Sequence, residues 1–209
     1  MMFGFDFASI IAGIPGLLMA MVFHEFAHAF VADRMGDPTP RMTGRLTLNP
    51  VVHIDPIGLI MLFVARFGWA KPVMINPNHF KNWRKGEVCV SLAGPAANLL
   101  LAFLAMFVKV CLFKTGLLFS HGLNLVLDLI VLYNVNFAIF NLIPIPPLDG
   151  SRLLTVLLPS RWSYRLAALE RYSFLILIVF VMTPVFSYIL IPLQRLVLGV
   201  FGIFFSLFL

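Results

Sequence analysis

The fold is set first by residues 7–32, FASIIAGIPGLLMAMVFHEFAHAFVA, in which Glu25 is the only side chain with a formal charge. A helix needs about 20 apolar residues to cross the hydrocarbon core of a bilayer, and this stretch is longer than that. The helix breakers Pro38 and Pro40 follow soon after it and end the helical pattern. We therefore predict a first membrane-spanning helix over about residues 7–32.

The rest of the chain has the same character. It is 61% hydrophobic and only 11% charged, against about 25% charged residues in soluble domains. Apolar segments predict further spans at about residues 87–113, 123–143 and 172–191, and residues 192–209 could form another span or a helix in the interface. The predicted fold is an all-α polytopic membrane protein with four to five transmembrane helices and one membrane-embedded domain, residues 1–209.

A different structure is predicted between the first two spans. Residues 57–66 are apolar but too short to cross as a helix, so we expect them to dip into the membrane and return. Residues 67–75 mix aromatic and β-branched residues with turn formers, which favours a short β-hairpin at the interface. Such a hairpin could offer an edge to an extended substrate, or it could be a structural plug.

The charge distribution indicates a topology. The net charge of +6 comes from basic residues spread over the loops between the predicted spans, without the aromatic platform of a nucleic-acid site. We therefore expect a lipid bilayer and no nucleic acid as partner. Basic loops face the cytoplasm, which places residues 34–85 and 152–171 on the cytoplasmic side of a multi-pass protein of the cell membrane. The two cysteines, Cys89 and Cys111, support neither a disulfide framework nor a cysteine-based zinc site.

The first predicted helix carries a metal-binding pattern, His24-Glu25-Phe26-Ala27-His28. Residues four apart lie on one helix face, so both imidazoles can reach one ion while Glu25 stands beside them. In zinc hydrolases this pattern gives two ligands and a base that takes a proton from water. Ionisable groups at such depth in a membrane helix usually mark a functional site, although a polar patch for helix packing is the competing interpretation.

Catalytic zinc usually has three protein ligands, so one more is needed. Asp33 lies on the wrong helix face, Asp55 lies in the cytoplasmic loop, and Asp128 lies on the far side of the membrane under this topology. Asp149 ends the stretch NLIPIPPLDG, whose prolines forbid regular helix and indicate a cavity lining. Two crossings separate it from the end of the first helix, which returns it to the same face and favours Asp149 as third ligand.

Together, these motifs resemble the site-2 protease family of intramembrane zinc metalloproteases, in its compact prokaryotic branch without PDZ or CBS domains. The similarity extends to GRLTLNP (44–50), HIDP (53–56), GWAKP (68–72) and AGPAAN (93–98). The resemblance implies that His24, His28 and Asp149 bind Zn²⁺, that Glu25 is the catalytic base, and that the substrate is a membrane-anchored protein.

Three further polar residues are candidates for the site. Asn98 and Asn141 could hold the substrate backbone or an oxyanion, but Asn98 could equally make an interhelical hydrogen bond. His53 could reach the metal as a regulatory ligand, or it could close its own loop.

The predicted function is a zinc-dependent intramembrane endopeptidase whose active site lies near the cytoplasmic face. A membrane metal transporter or metal sensor with the same ligands is the main alternative. Transporters place polar groups along a path across the membrane, whereas here nearly all of them cluster toward one face. A non-catalytic scaffold is a third alternative, which the presence of Glu25 disfavours.

Overall fold

The apolar segments fold as helices in the computed structural model, which describes residues 7–58, 69–117 and 120–207. The helices, numbered in chain order, are α1 (Phe7–Met35), α2 (Thr39–Met42), α3 (Pro50–His53), α4 (Trp83–Lys114), α5 (His121–Leu142), α6 (Asp149–Leu157), α7 (Ser160–Leu169), α8 (Ser173–Met182) and α9 (Pro184–Ser206). Single 3-10 turns lie at Pro77–His79 and Glu170–Tyr172. Within the described ranges there is no strand beyond one isolated β-bridge. The all-α prediction is confirmed.

Four of the described helices, α1, α4, α5 and α9, are long and apolar enough to cross a membrane. The chain is therefore a multi-pass membrane protein, as predicted. Helices α1, α4 and α5 pack closely on one another, and α9 lies at the edge of this group against α5 and α4. Small and β-branched side chains fill the centre, including Ala102, Val131 and Val135, because small residues let membrane helices approach each other.

The fourth span differs from its predicted position at residues 172–191. The helix there breaks at Thr183, which is extended (φ −88°, ψ 152°), and α9 then runs from Pro184 to Ser206. Proline pushes the residue before it out of the helical region, and its missing N–H is tolerated at the start of a new helix. Residues 192–206 are therefore the C-terminal part of α9 and form no separate span or interfacial helix. Because the residues on both sides of the break are apolar, hydropathy alone does not predict where the helix ends.

The segment between the first two spans is described in part. Most of the predicted re-entrant stretch, residues 57–66, lies outside the described residues. Residues 70–76, which we call the strap, belong to no helix, and Ala70 forms an antiparallel bridge with Ile54. The Lys71 N–H donates to the carbonyl of His53 at 2.8 Å. The described part of the predicted hairpin at residues 67–75 therefore pairs with the end of α3, and its own residues do not pair with one another.

A buried carboxylate holds the far end of the strap. Asp37 is fully buried just after α1, and it accepts hydrogen bonds from the backbone N–H of Asn76 (2.7 Å), from Nδ1 of His79 (2.9 Å) and from Thr39. Burial raises the pKa of Asp37, but these hydrogen bonds outweigh burial and leave the pKa below its ordinary value. Asp37 thus ties the strap to the end of α1.

Candidate metal centre

Three side chains from two helices meet at one point. His24 and His28 lie one turn apart on α1, and Asp149 is the first residue of α6. Asp149 Oδ2 lies 3.2 Å from His24 Nε2 and 3.1 Å from His28 Nε2, and the two Nε2 atoms are 3.0 Å apart. Two ligands that each lie 2.0–2.1 Å from a tetrahedral zinc are about 3.3 Å apart. The three donor atoms are therefore spaced as one ion requires.

Hydrogen bonds at Nδ1 orient both imidazoles so that Nε2 is available to a metal ion. His24 Nδ1 lies 2.7 Å from Asn98 Oδ1, and His28 Nδ1 lies 2.8 Å from the carbonyl oxygen of Val90. Each acceptor needs a proton on Nδ1, so each Nε2 is left with a lone pair directed at Asp149. Ligating histidines are generally oriented through their second nitrogen in this way.

Asp149 presents an oxygen that lacks a donor. Its Oδ2 is buried and has no hydrogen-bond partner in the described part of the chain, although buried carboxylate oxygens are normally satisfied. A charged oxygen beside two nitrogen lone pairs is a donor set that suits Zn²⁺, so the residues fit this ion.

Two glycines allow neighbouring backbone to pack directly against this group of side chains. A Cβ built at Gly94 on α4 would lie 2.5 Å from Cε1 of His24 and 2.6 Å from Nε2 of His28. At Gly150, next to Asp149, a Cβ would lie 2.3 Å from the carbonyl oxygen of Leu142. Neither position has room for a side chain, so both glycines are part of the site.

The predicted base, Glu25, is held by the strap. Its Oε2 accepts a hydrogen bond of 2.9 Å from the backbone N–H of Val73, and Val73 itself is buried. Because one carboxylate oxygen is fixed in this way, Oε1 remains for another partner. Glu25 is thus fixed to the strap and lies on the same helix as His24 and His28.

Asn98 differs from the predicted substrate contact. Its amide nitrogen donates to the carbonyl of Ala20 (2.8 Å) and to Oδ1 of Asn134 (2.9 Å), while its oxygen faces His24. The side chain is completely buried, and both amide hydrogens are used. This arrangement agrees with the alternative of an interhelical hydrogen bond and leaves no donor for an oxyanion.

Asn141 and His53 are not joined to the three ligands by any hydrogen bond within the described residues. The Asn141 amide donates to the carbonyl of Phe137 on its own helix at 2.9 Å. The fully buried His53 uses Nε2 to contact the carbonyl of Thr47 at 2.8 Å, and it lies outside the metal-binding group of the described chain. The geometry at His53 agrees with the loop-closing interpretation.

The other carboxylates considered as third ligand are engaged elsewhere. Asp33 pairs with Arg41 at the end of α1, Asp55 accepts from the backbone N–H groups of Ile57 and Gly58, and Asp128 pairs with Lys109.

Some contacts of the site were not predicted from the sequence. The Val73 N–H and the Val90 carbonyl are backbone groups, and no side-chain pattern identifies them. Gly94 carried a usable signal, since its Gly-x-x-x-Asn spacing to Asn98 predicts close helix approach. What spacing alone did not show is that the groups approaching Gly94 are the imidazoles of His24 and His28.

Comparison with known proteins supports the same chemistry. A family model described as peptidase family M50 matches residues 114–184. A Bacillus subtilis protein named "Putative zinc metalloprotease YwhC" is 41% identical over 181 residues, which cover 85% of this chain and 83% of YwhC. A Mycolicibacterium smegmatis protein named "Putative zinc metalloprotease Rip2" is 36% identical over 183 residues, which cover 82% of this chain and 66% of Rip2.

A more distant relative is the stage IV sporulation protein FB of Bacillus subtilis, 29% identical over 163 residues, which cover 72% of this chain and 53% of that protein. No solved structure matches the chain significantly.

Proposed function

The chain belongs to the site-2 protease family, peptidase family M50, and is a zinc metalloprotease; on this premise we propose that it hydrolyses peptide bonds of membrane-anchored proteins, with Glu25 as the base. The observation that carries the proposal is the convergence of His24, His28 and Asp149, with Glu25 next to His24 in sequence and fixed by Val73.

His24, His28 and Asp149 would hold the ion. Bound Zn²⁺ supplies a Lewis acid that lowers the pKa of water and polarises the scissile carbonyl. Asn98 and the Val90 carbonyl keep the two Nε2 lone pairs directed at the ion, because each fixes the tautomer of its histidine.

Glu25 would act first as general base and then as general acid in hydrolysis. Its free oxygen takes a proton from the attacking water and later delivers it to the amine nitrogen as the peptide C–N bond breaks. The water oxygen ends in the new carboxyl group. The Val73 N–H keeps the carboxylate in place during these transfers.

The depth of the site supports a substrate within or at the edge of the bilayer. His28 lies seven residues before the end of α1, about 10 Å along the axis, and His24 about 16 Å. The basic loops lie at this end of α1, and the positive-inside rule assigns that end to the cytoplasm. We place the active site near the cytoplasmic face of the plasma membrane.

Glu25→Gln is the test of this mechanism. The substitution keeps the shape and the hydrogen bond from Val73 but removes the base, so we expect cleavage of a single-span substrate in proteoliposomes to fall at least 100-fold. Bound zinc, measured by elemental analysis, should stay at the wild-type level. His24→Ala, which removes a ligand, is the control that should lose both.

Retained cleavage by the purified Glu25→Gln protein would refute the assignment of the base. If wild-type protein moved zinc across the proteoliposome membrane and cut no membrane proteins, the transporter alternative would replace the protease.

A further inference from the structure

A cavity of about 850 Å³ lies at the end of the bundle opposite the metal ligands. Its wall residues come from the end of α4, the start of α5 and one side chain of α9, Leu198. Asp128 is six residues, about 9 Å, from Asn134 of the His24 network, and Lys109 is eleven residues, about 16 Å, from Asn98. The two charged residues therefore lie well away from the metal centre, and none of the wall residues belongs to the candidate metal site.

The cavity is lined mainly by apolar side chains. They come from all three helices: Met106, Val110, Phe113, Val131, Leu132 and Leu198. A space of this size and lining suits hydrocarbon, and in a membrane the hydrocarbon at hand is a lipid acyl chain.

One side of the cavity carries two opposite charges. Lys109 on α4 and Asp128 on α5 form an ion pair, and their side chains keep 30% and 48% of their exposure. The Lys109 ammonium has three donors and the pair uses one of them, while the second carboxylate oxygen of Asp128 has no protein donor in the described chain. The polar residues His121 and Asn124 also line the cavity, on the same helix as Asp128.

This charge pattern selects among lipid headgroups. A phosphate accepts hydrogen bonds from the free donors of Lys109, and a primary ammonium on the same headgroup donates to Asp128. A phosphatidylglycerol headgroup offers Asp128 no cation, and the quaternary ammonium of phosphatidylcholine has no N–H to donate. We propose that this cavity binds one phospholipid with a zwitterionic primary-amine headgroup, of the phosphatidylethanolamine type.

The bound lipid has a structural effect on α9. Most large side chains of α9 are exposed, and Phe205 is its one fully buried residue within the described chain. An acyl chain between Leu198 and the walls from α4 and α5 adds to the apolar contact that Leu198, Val197 and Phe201 already make with the central cluster. The lipid thereby holds α9 to the central helices.

Thermal unfolding of the full-length, detergent-purified protein tests the proposal. With dioleoyl phosphatidylethanolamine we expect the midpoint to rise by about 3 °C or more above its value with the dioleoyl phosphatidylcholine or phosphatidylglycerol lipid. Native mass spectrometry should show one phosphatidylethanolamine retained per chain. Lys109→Gln/Asp128→Asn removes both charges and should abolish the preference for this lipid. Lys114→Gln, on an exposed residue of the same helix outside the cavity, should keep it.

A second variant separates lipid binding from damage to the fold. Leu132→Trp narrows the cavity at its wall and leaves both charges, so it should weaken retention of the lipid while keeping a cooperative unfolding transition. Equal stabilisation by all three headgroups, or a preference that survives Lys109→Gln/Asp128→Asn, would overturn the proposal. So would a result in which that double variant changes only the KM for a membrane-anchored substrate, because the cavity would then serve the substrate. None of the lipid readouts depends on proteolysis.

Discussion

Gly94 determines how closely α4 can approach the two histidine ligands. In Gly94→Ala the new Cβ meets ring atoms of both histidines at 2.5–2.6 Å, so the rings must turn away from Asp149. We expect zinc affinity to fall by about 10- to 100-fold, the range seen when ligand orientation is disturbed. Competition with a fluorescent zinc chelator measures this change.

The control for that substitution is Gly199→Ala, in a helix where an added Cβ meets nothing within 4 Å. It should leave zinc affinity unchanged and stabilise α9 slightly, because alanine favours helix over glycine. Wild-type zinc affinity in Gly94→Ala would show that α4 can shift to make room, contrary to the close contact described above.

The strap depends on Asp37, a residue far from the chemistry. Asp37→Asn weakens the hydrogen bonds from Asn76, His79 and Thr39, so we expect a loss of about 1–3 kcal/mol in unfolding free energy at pH 7. Because the strap also holds Glu25 through Val73, the rate of peptide cleavage should fall as well. Asp33→Asn removes an exposed ion pair with Arg41 and should have the smaller effect.

The pH dependence of this contribution has a definite sign. The folded-state pKa of Asp37 lies below its ordinary value of 3.8, so its stabilisation is complete above about pH 4 and is lost as pH falls through the lower folded-state pKa. The difference in unfolding midpoint between wild type and Asp37→Asn should therefore be constant between pH 6 and about pH 4 and narrow as the pH falls from about 4 to 3. A gap that stays constant over this lower range would contradict the assigned role.

Local patterns in the sequence predicted the three side chains that the structure brings together, and contacts between residues distant in sequence explain what those patterns missed. His24 and His28 follow from a four-residue spacing, and Asp149 follows from the parity of membrane crossings. The break at Thr183 and the pairing of the strap with Ile54 are different, because they depend on backbone conformation and on partners distant in sequence. Hydropathy is uniform across that break, and the strap has no alternating pattern long enough to fix its register.

At the scale of the whole molecule, the metal centre joins the first span to the segment after the third. α1 provides two of the proposed ligands and α6 provides the third, and apart from this site α6 packs mainly on α4, α5 and α7. A bound ion therefore stabilises the folded arrangement by the free energy of binding. Zinc removal should lower the unfolding midpoint as well as abolish cleavage.

We expect 1,10-phenanthroline to lower the midpoint of wild type by about 5 °C or more, since each kcal/mol shifts it by about 2–4 °C in a protein of this size. Added Zn²⁺ should restore it. Glu25→Gln keeps all three ligands and should respond like wild type, whereas Asp149→Ala, which lacks the link between α1 and α6, should show no response to chelator. A wild-type midpoint that is indifferent to chelator, with zinc shown to have left, would mean that helix packing alone holds α6 against α1. The three-ligand geometry would then serve catalysis without stabilising the fold.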